Sequence, residues 1–468
     1  MNLAISAFDA AIVIAFLAAT LLIGLRLPRH DQSPSGYLLG GRALTLPAFV
    51  ATTVSTWYGG ILGIGEYTWR YGISNWIVFG IPYYVGALFF ALIISRRARA
   101  SNALTLPTRF EQFYGRGPAR CAAIIIFLTT VPGAYVLMMG TLFSLGLNMP
   151  LWGGIAITAL FVVLYLWRGG FSAVARTDAI QFALMFGSFI ILSAILAFTY
   201  GLEPLASLPP SHLEPSGGQS TGAILVWYLI AMSTLAEPNF YQRCFAAKTP
   251  QIARRGLIIS IVCWLIFDLM TTFCGLYARA LLPDLQNPVH AFPALANTVL
   301  PTGLVGLFYA GLFATILSSL DSNLFTTATT LGRDLWPDKC TPTWSISTKT
   351  RIGLILGAAL AATIALASGS IIELWKVFGS VSAAALLIPI LSTYFPQKLP
   401  LSPRTALVLM IASATTTLLW FLSKKITGSY WLNIEPLFAG GSVAILCLIS
   451  SAAFIALKKR ATRTSTTK

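Results

Sequence analysis

The sequence predicts an all-α polytopic membrane protein of about thirteen transmembrane helices with a 5+5 inverted-repeat core, N-terminus outside and C-terminus inside. Composition is the first observation behind this reading. Of 468 residues, 56% are hydrophobic and only 10% charged, whereas a soluble domain carries roughly 25% charged residues. The second is a row of apolar runs of about 20 residues, the length that crosses a bilayer core as a helix. They lie near 7–26, 44–72, 75–96, 119–146, 151–167, 174–200, 222–244, 256–283, 303–331, 352–369, 371–395, 405–423 and 435–458. The third is the placement of Lys and Arg. With the N-terminus outside, all 31 except Arg70, Arg279, Lys424, Lys425 and the in-span Lys376 fall in inside loops or the C-terminal tail, as the positive-inside rule requires. One helix too many or too few would reverse every later loop and spoil that alternation.

Helix is the expected structure of every span, because lipid forces each segment to satisfy its own backbone hydrogen bonds. The shorter alternating strands of a membrane barrel do not match these runs. The run at 7–26 has no basic stretch before it and no small-residue cleavage pattern after it, so it is expected to remain as a helix. A net charge of +16 in a soluble chain would suggest nucleic acid. Sorted by loop it is a topology signal, and nucleic acid drops out. Cys121, Cys244, Cys263, Cys274, Cys340 and Cys447 lack metal-ligand spacing and read as reduced thiols. His30, His212 and His290 all fall in loops.

Two spans are poor lipid-facing helices. The second (44–72) contains Ala51-Thr52-Thr53-Val54-Ser55-Thr56 and then Gly59, Gly60, Gly63 and Gly65. The seventh (222–244) holds Ser233-Thr234-Leu235-Ala236-Glu237-Pro238-Asn239, and Pro238 lacks the donor that a helix needs there. Interrupted helices at matching places in two halves point to a transporter of inverted repeats. The chain then divides, within one transmembrane domain, into an extra first helix and loop (7–43), repeat one (44–200), repeat two (222–395), two C-terminal helices (405–458) and a cytoplasmic tail (459–468). Tyr58, Ser233, Thr234 and Glu237, at the two breaks, are the candidate solute contacts. Packing of small residues between helices is the plainer alternative for either break taken alone.

The ninth span carries Thr315, Ser318, Ser319 and Ser322 on one face, with Asp321 at its margin. Adjacent hydroxyls are neutral oxygen ligands that suit a hard cation. A charge such as Asp321 costs roughly 2.5–3.5 kcal/mol in lipid and so should face a partner or a cavity. Serines bonding back to carbonyls of their own helix are the alternative. The other acids of the spans are Glu66, Asp178, Glu237, Asp268 and Glu373. Glu373 and Lys376, three residues apart, are expected to form an ion pair, and Asp178 has Arg168 and Arg176 near it in sequence.

Several stretches taken together resemble the sodium–solute symporter family. They are Tyr37-Leu38-Leu39-Gly40-Gly41-Arg42, Leu106-Pro107-Thr108-Arg109-Phe110-Glu111 with Tyr114-Gly115, Gly169-Gly170-Phe171-Ser172-Ala173-Val174 with Thr177-Asp178-Ala179-Ile180-Gln181, Gln242-Arg243 with Ala246-Ala247-Lys248, and Ser318-Ser319-Leu320-Asp321-Ser322. The resemblance covers roughly residues 8–460 and implies a LeuT-like core and transport driven by sodium. It implies a sodium between spans 2 and 9, on the carbonyls of Ala51, Val54 and Thr315 and the hydroxyls of Ser318 and Ser319. Some members hold a second sodium on a helix 6 aspartate and helix 9 hydroxyls. Asp178 matches that aspartate, with Ser318 and Ser322 as companions, while Asp321 stands where such members have a serine. Asp178, Asp321 and Ser322 thus mark a second cation or proton site. Sugar-transporting relatives carry an aromatic gate where this chain has Ser233, which argues against a simple sugar transporter.

The function expected is sodium-coupled symport of a small organic solute across the plasma membrane by alternating access. The implied partners are the solute, Na+ and the lipid bilayer, with Na+ as coupling ion and no cofactor. Proton coupling through Asp178 or Asp321 is the near alternative, and a channel or transport-like sensor the more distant one. A sensor would want a signalling domain, and only a few basic and hydroxyl residues follow Lys458. A membrane enzyme is not expected, because no histidine lies in a span and no His/Cys/Asp cluster has ligand spacing.

Overall fold

Hydrogen bonds within segments organise the whole chain. In a computed structural model, which describes residues 5–26, 33–337, 341 and 343–465, the fold is helical and one isolated parallel bridge, Leu44 with Ala247, is the sole strand-like pairing among the described residues. The principal helices are α1 (Ala7–Arg26), α2 (Leu46–Trp57), α3 (Ile61–Tyr71), α4 (Trp76–Ala100), α5 (Arg116–Thr130), α6 (Gly133–Leu147), α7 (Leu151–Tyr200), α8 (Thr221–Ala231), α9 (Pro238–Ala246), α10 (Pro250–Leu281), α11 (Leu304–Thr329), α12 (Ile346–Ala367), α13 (Ile371–Tyr394), α14 (Pro403–Thr427) and α15 (Pro436–Ser465). His30 and Cys340 lie outside the described residues, and the other five cysteines are free thiols.

Among the described residues, eleven helical stretches are long and apolar enough to cross a membrane. The difference from the thirteen spans expected arises at two places. Helix α7 is a single 50-residue stretch, about 75 Å at 1.5 Å per residue, and Gly170 turns the chain inside it with φ +55°. Only glycine enters that region cheaply, and a β-carbon there would also come within 2.6 Å of the Tyr37 carbonyl. The second expected span is divided into α2 and α3, of 12 and 11 residues, each too short to cross alone.

Burial sorts the helices into centre and rim. The apolar window of α11 with its continuation to Leu335 is 89% buried, against 28% for α1 and 22% for α15. The outer helices leave large apolar side chains such as Leu160, Ile190 and Val408 exposed, as suits a surface that meets hydrocarbon. α1 nevertheless sends one charge inward. Asp9 is buried, and its Oδ1 accepts the Gly303 and Gly306 N–H groups at 2.7 Å each. It thereby caps the start of α11, whose first N–H groups have no partner within the helix.

One charge assignment made from spacing is corrected. Lys376 does not pair with Glu373; it reaches Glu435 at 2.8 Å, at the start of α15. Glu373 lies in the first turn of α13, where its own N–H bonds the capping Ser370 hydroxyl. A partner on a neighbouring helix has outcompeted the one three residues away. Glu66 pairs with Arg70, four residues on, at 3.1 Å.

Candidate functional site

Three interruptions in otherwise spanning helices meet at one place. The first is Tyr58-Gly59-Gly60 between α2 and α3. Two other side chains fill the space these glycines leave: Ser319 lies against Gly59, and the Trp375 indole lies against Gly60 and Gly63. The second, which the sequence reading did not single out, is Val131-Pro132 between α5 and α6. Pro132 has no N–H, and the Gly133 N–H turns back to the Val131 carbonyl at 2.9 Å. The third is the turn Met232–Ala236, followed by extended Glu237 and then Pro238, which opens α9. There the Tyr241 hydroxyl donates to the freed Leu235 carbonyl at 2.9 Å. Tyr58, Gly60, Val131, Ser233 and Glu237, one or two from each break, line a cavity of about 210 Å³.

Beside the cavity lies a polar cluster. Asp178, on α7, is fully buried. It accepts the Ser318 hydroxyl of α11 at 2.5 Å and the Thr52 hydroxyl of α2. Arg243, on α9, is 1% exposed. Its Nη2 donates to the hydroxyls of Thr56 and Ser322 at 2.6 Å each and of Thr52 at 3.2 Å, and lies 3.8 Å from Asp178. The loop count had put Arg243 among the flanking basic residues, and this is corrected. α9 is polar and buried, and Asp178 and Asp321 supply the compensation that a buried cation requires. Asp321 is itself buried, takes the Ser322 hydroxyl at 3.3 Å, and has a second oxygen with no hydrogen-bond partner.

The expected sodium ligands are brought together unevenly. Ser319 donates to the Thr56 carbonyl and accepts the Gly59 N–H at 2.8 Å, so it sits directly on the end of α2. Ser318 belongs with Asp178, Thr56 and Ser322. The carbonyls of Ala51 and Val54 accept the Ser55 hydroxyl at 2.8 Å and the Trp264 indole N–H at 3.3 Å. Thr315 turns its hydroxyl back to the Gly311 carbonyl at 2.7 Å. Of the expected solute contacts, Tyr58, Ser233 and Glu237 line the cavity. Thr234 does not; it is buried and packs near Gly86. Asp268, left without a role in the sequence, accepts the hydroxyls of both Tyr58 and Tyr84, and it too lines the cavity.

The fold is shared with solved transporters. A Na+-coupled sialic acid symporter superposes with a TM-score of 0.79 at 15% identity, over 97% of this chain and 98% of that one. Mhp1, a nucleobase-cation-symport-1 family transporter, gives 0.60 at 12% identity, over 89% and 95%. Both likenesses are of fold alone, a LeuT-like helical architecture. Residues 37–412 match the Sodium:solute symporter family, and the chain belongs to it. Among curated relatives, it is 27% identical to the osmoregulated proline transporter OpuE of Bacillus subtilis, over 89% of each chain. It is 26% identical to the sodium/pantothenate symporter of Haemophilus influenzae, over 77% of this chain and 79% of that one. The protein is accordingly a multi-pass protein of the plasma membrane.

Proposed function

We propose that this protein is a sodium-coupled symporter that imports a small organic solute by alternating access. Thirteen spans, with 44–200 and 222–395 as inverted repeats, the N-terminus outside and the C-terminus inside, are the topology that accompanies this reading. The observation that carries it is the contact between the break in α2 and the hydroxyl pair of α11: Ser319 bonds both the Thr56 carbonyl and the Gly59 N–H. A sodium held by the carbonyls of Ala51, Val54 and Thr315 and by Ser318 and Ser319 would tie those two helices together and shape the adjoining cavity. Relatives named as sodium/proline and sodium/pantothenate symporters, such as that of Escherichia coli at 25% identity, support the coupling ion and leave the solute open.

One sodium suffices energetically. A charge crossing 100 mV releases about 2.3 kcal/mol, and a tenfold gradient adds about 1.4 kcal/mol. Their sum supports accumulation of roughly 500-fold. The Arg243 guanidinium argues against a second sodium at Asp178, Asp321 and Ser322, since it already places a positive charge among the same oxygens. A proton-coupled reading is favoured by one observation, the buried Asp321 oxygen without a hydrogen-bond partner.

The test is the unfolding midpoint of the purified protein in sodium against potassium at fixed ionic strength. Binding to the folded state alone raises the midpoint in proportion to ln(1 + [L]/Kd). A sodium-specific rise is expected. A rise that follows pH and ignores sodium would overturn sodium coupling in favour of the proton.

A further inference from the structure

The cavity contains an unusual set of neighbours for a carboxylate. Glu237 lies at the break between α8 and α9, and both hydrogen bonds it accepts fall on Oε1, from the Asn239 N–H at 3.2 Å and the Asn239 amide at 2.9 Å. Among the described residues, none donates to Oε2. The cavity that Glu237 lines has an aromatic wall. The Trp57 ring lies 4.7 Å from Phe240, 5.7 Å from Tyr83 and 6.0 Å from Trp264, and Phe240 and Trp264 stack at 5.8 Å with 8° between their planes. All four rings line the cavity with Glu237. Tyr135 lines the same cavity.

The other charges facing this space have partners, although the Arg243 Nε is left without one. Asp268 takes two tyrosine hydroxyls, and Arg243 is committed to Asp178 and three hydroxyls. Glu237 therefore remains a carboxyl group with one oxygen unbonded, in a cavity that aromatic rings also line. A carboxylate removed from water is costly unless a cation joins it. Aromatic faces attract cations through their ring quadrupole and bind quaternary ammonium groups in this way.

We propose that the solute carries a positively charged nitrogen, bound between the Glu237 carboxylate and the Trp57–Phe240–Trp264 wall. This rests on the symporter reading of the cavity and adds the chemical class of the cargo. A purely anionic acid is repelled by the Glu237 carboxylate, and a neutral sugar brings no charge to offset it.

The test uses the full-length protein in sodium and a panel of matched pairs, each ammonium compound set against its uncharged-carbon isostere. Glycine betaine is paired with 3,3-dimethylbutanoate, choline with 3,3-dimethylbutanol, and cyclic and linear amino acids with the acids that lack their nitrogen. The readout is the shift in unfolding midpoint. At least one ammonium member is expected to bind at least tenfold more tightly than its isostere. Glu237→Gln, which keeps the acceptor for Asn239, should erase that preference, whereas Glu237→Asp should retain part of it. A variant that still shows the sodium-induced shift is folded and counts. A panel in which no ammonium member binds, or in which isosteres bind equally well, overturns the proposal. Sodium stabilisation without solute is read separately, so loss of coupling and loss of charge preference are distinguishable.

Discussion

Ser319 stands in the space that a side chain at residue 59 would need. The Gly59 N–H donates to the Ser319 hydroxyl at 2.8 Å, and a β-carbon built on Gly59 collides with that same oxygen. The broken second span and the central helix therefore touch through a glycine and a serine, with no layer of side chains between them. Gly59→Ala must push the two helices apart. Overpacking of this kind costs about 1–3 kcal/mol, and the sodium-dependent rise in midpoint should shrink with it. Gly187→Ala, on α7 with nothing within 4 Å of the added carbon, is the matched control and should leave both quantities unchanged.

The hydroxyl pair can be removed without adding bulk. Ser318→Ala with Ser319→Ala should raise the sodium concentration needed for half-maximal stabilisation at least tenfold. An unaltered sodium dependence would mean that these residues are not ion ligands.

Arg243 and Asp178 answer to a double-mutant cycle. Removing one member of a buried charge pair leaves the other uncompensated, at a cost of about 3–5 kcal/mol. Arg243→Gln should accordingly be severe, because it strands both Asp178 and Asp321. Adding Asp178→Asn to Arg243→Gln should recover a good part of the loss, and denaturant unfolding measures it. Strict additivity of the two single effects would contradict the pairing.

The Asp9 cap is a test away from the cavity. Asp9→Ala leaves the Gly303 and Gly306 N–H groups without an acceptor and should cost about 0.5–2 kcal/mol. Asp9→Asn keeps an acceptor oxygen and should cost less, and neither change should alter sodium affinity.

Lys376 and Glu435 are each about one-quarter exposed, so their pair is partly screened. Lys376→Ala should cost no more than about 1 kcal/mol, and Glu435→Ala about the same. Glu373→Ala, at the position the spacing had favoured, should show no energetic coupling to Lys376.

The helical class was legible because lipid leaves the backbone one solution per segment, and apolar runs mark where that applies. Two of the three breaks were legible for a similar reason, since Gly59-Gly60 and Glu237-Pro238 weaken a helix by their own chemistry. Val131-Pro132 carried the same signal in Pro132 and was passed over, because Thr129-Thr130-Val131-Pro132-Gly133 lies within a long apolar run. Arg243 was hidden by the rule that orients the spans. Counting basic residues by loop treats each as a flank, and no count distinguishes an arginine in water from one held by a carboxylate of another helix. Lys376 illustrates the same point, since its nearest acid in sequence is not its partner in space.

What the sequence by itself determined is therefore local: which segments are helices, where they weaken, and which hydroxyls and acids share a face of the ninth span. The tertiary structure alone decided which of these meet. Thr52, Asp178, Arg243 and Ser322 come from four helices, and the aromatic wall beside Glu237 is drawn from the second, third, seventh and eighth spans. The physical reason is that hydropathy and propensity act on neighbours along the chain, whereas pairing a buried charge is settled by whichever opposite charge the packing brings near.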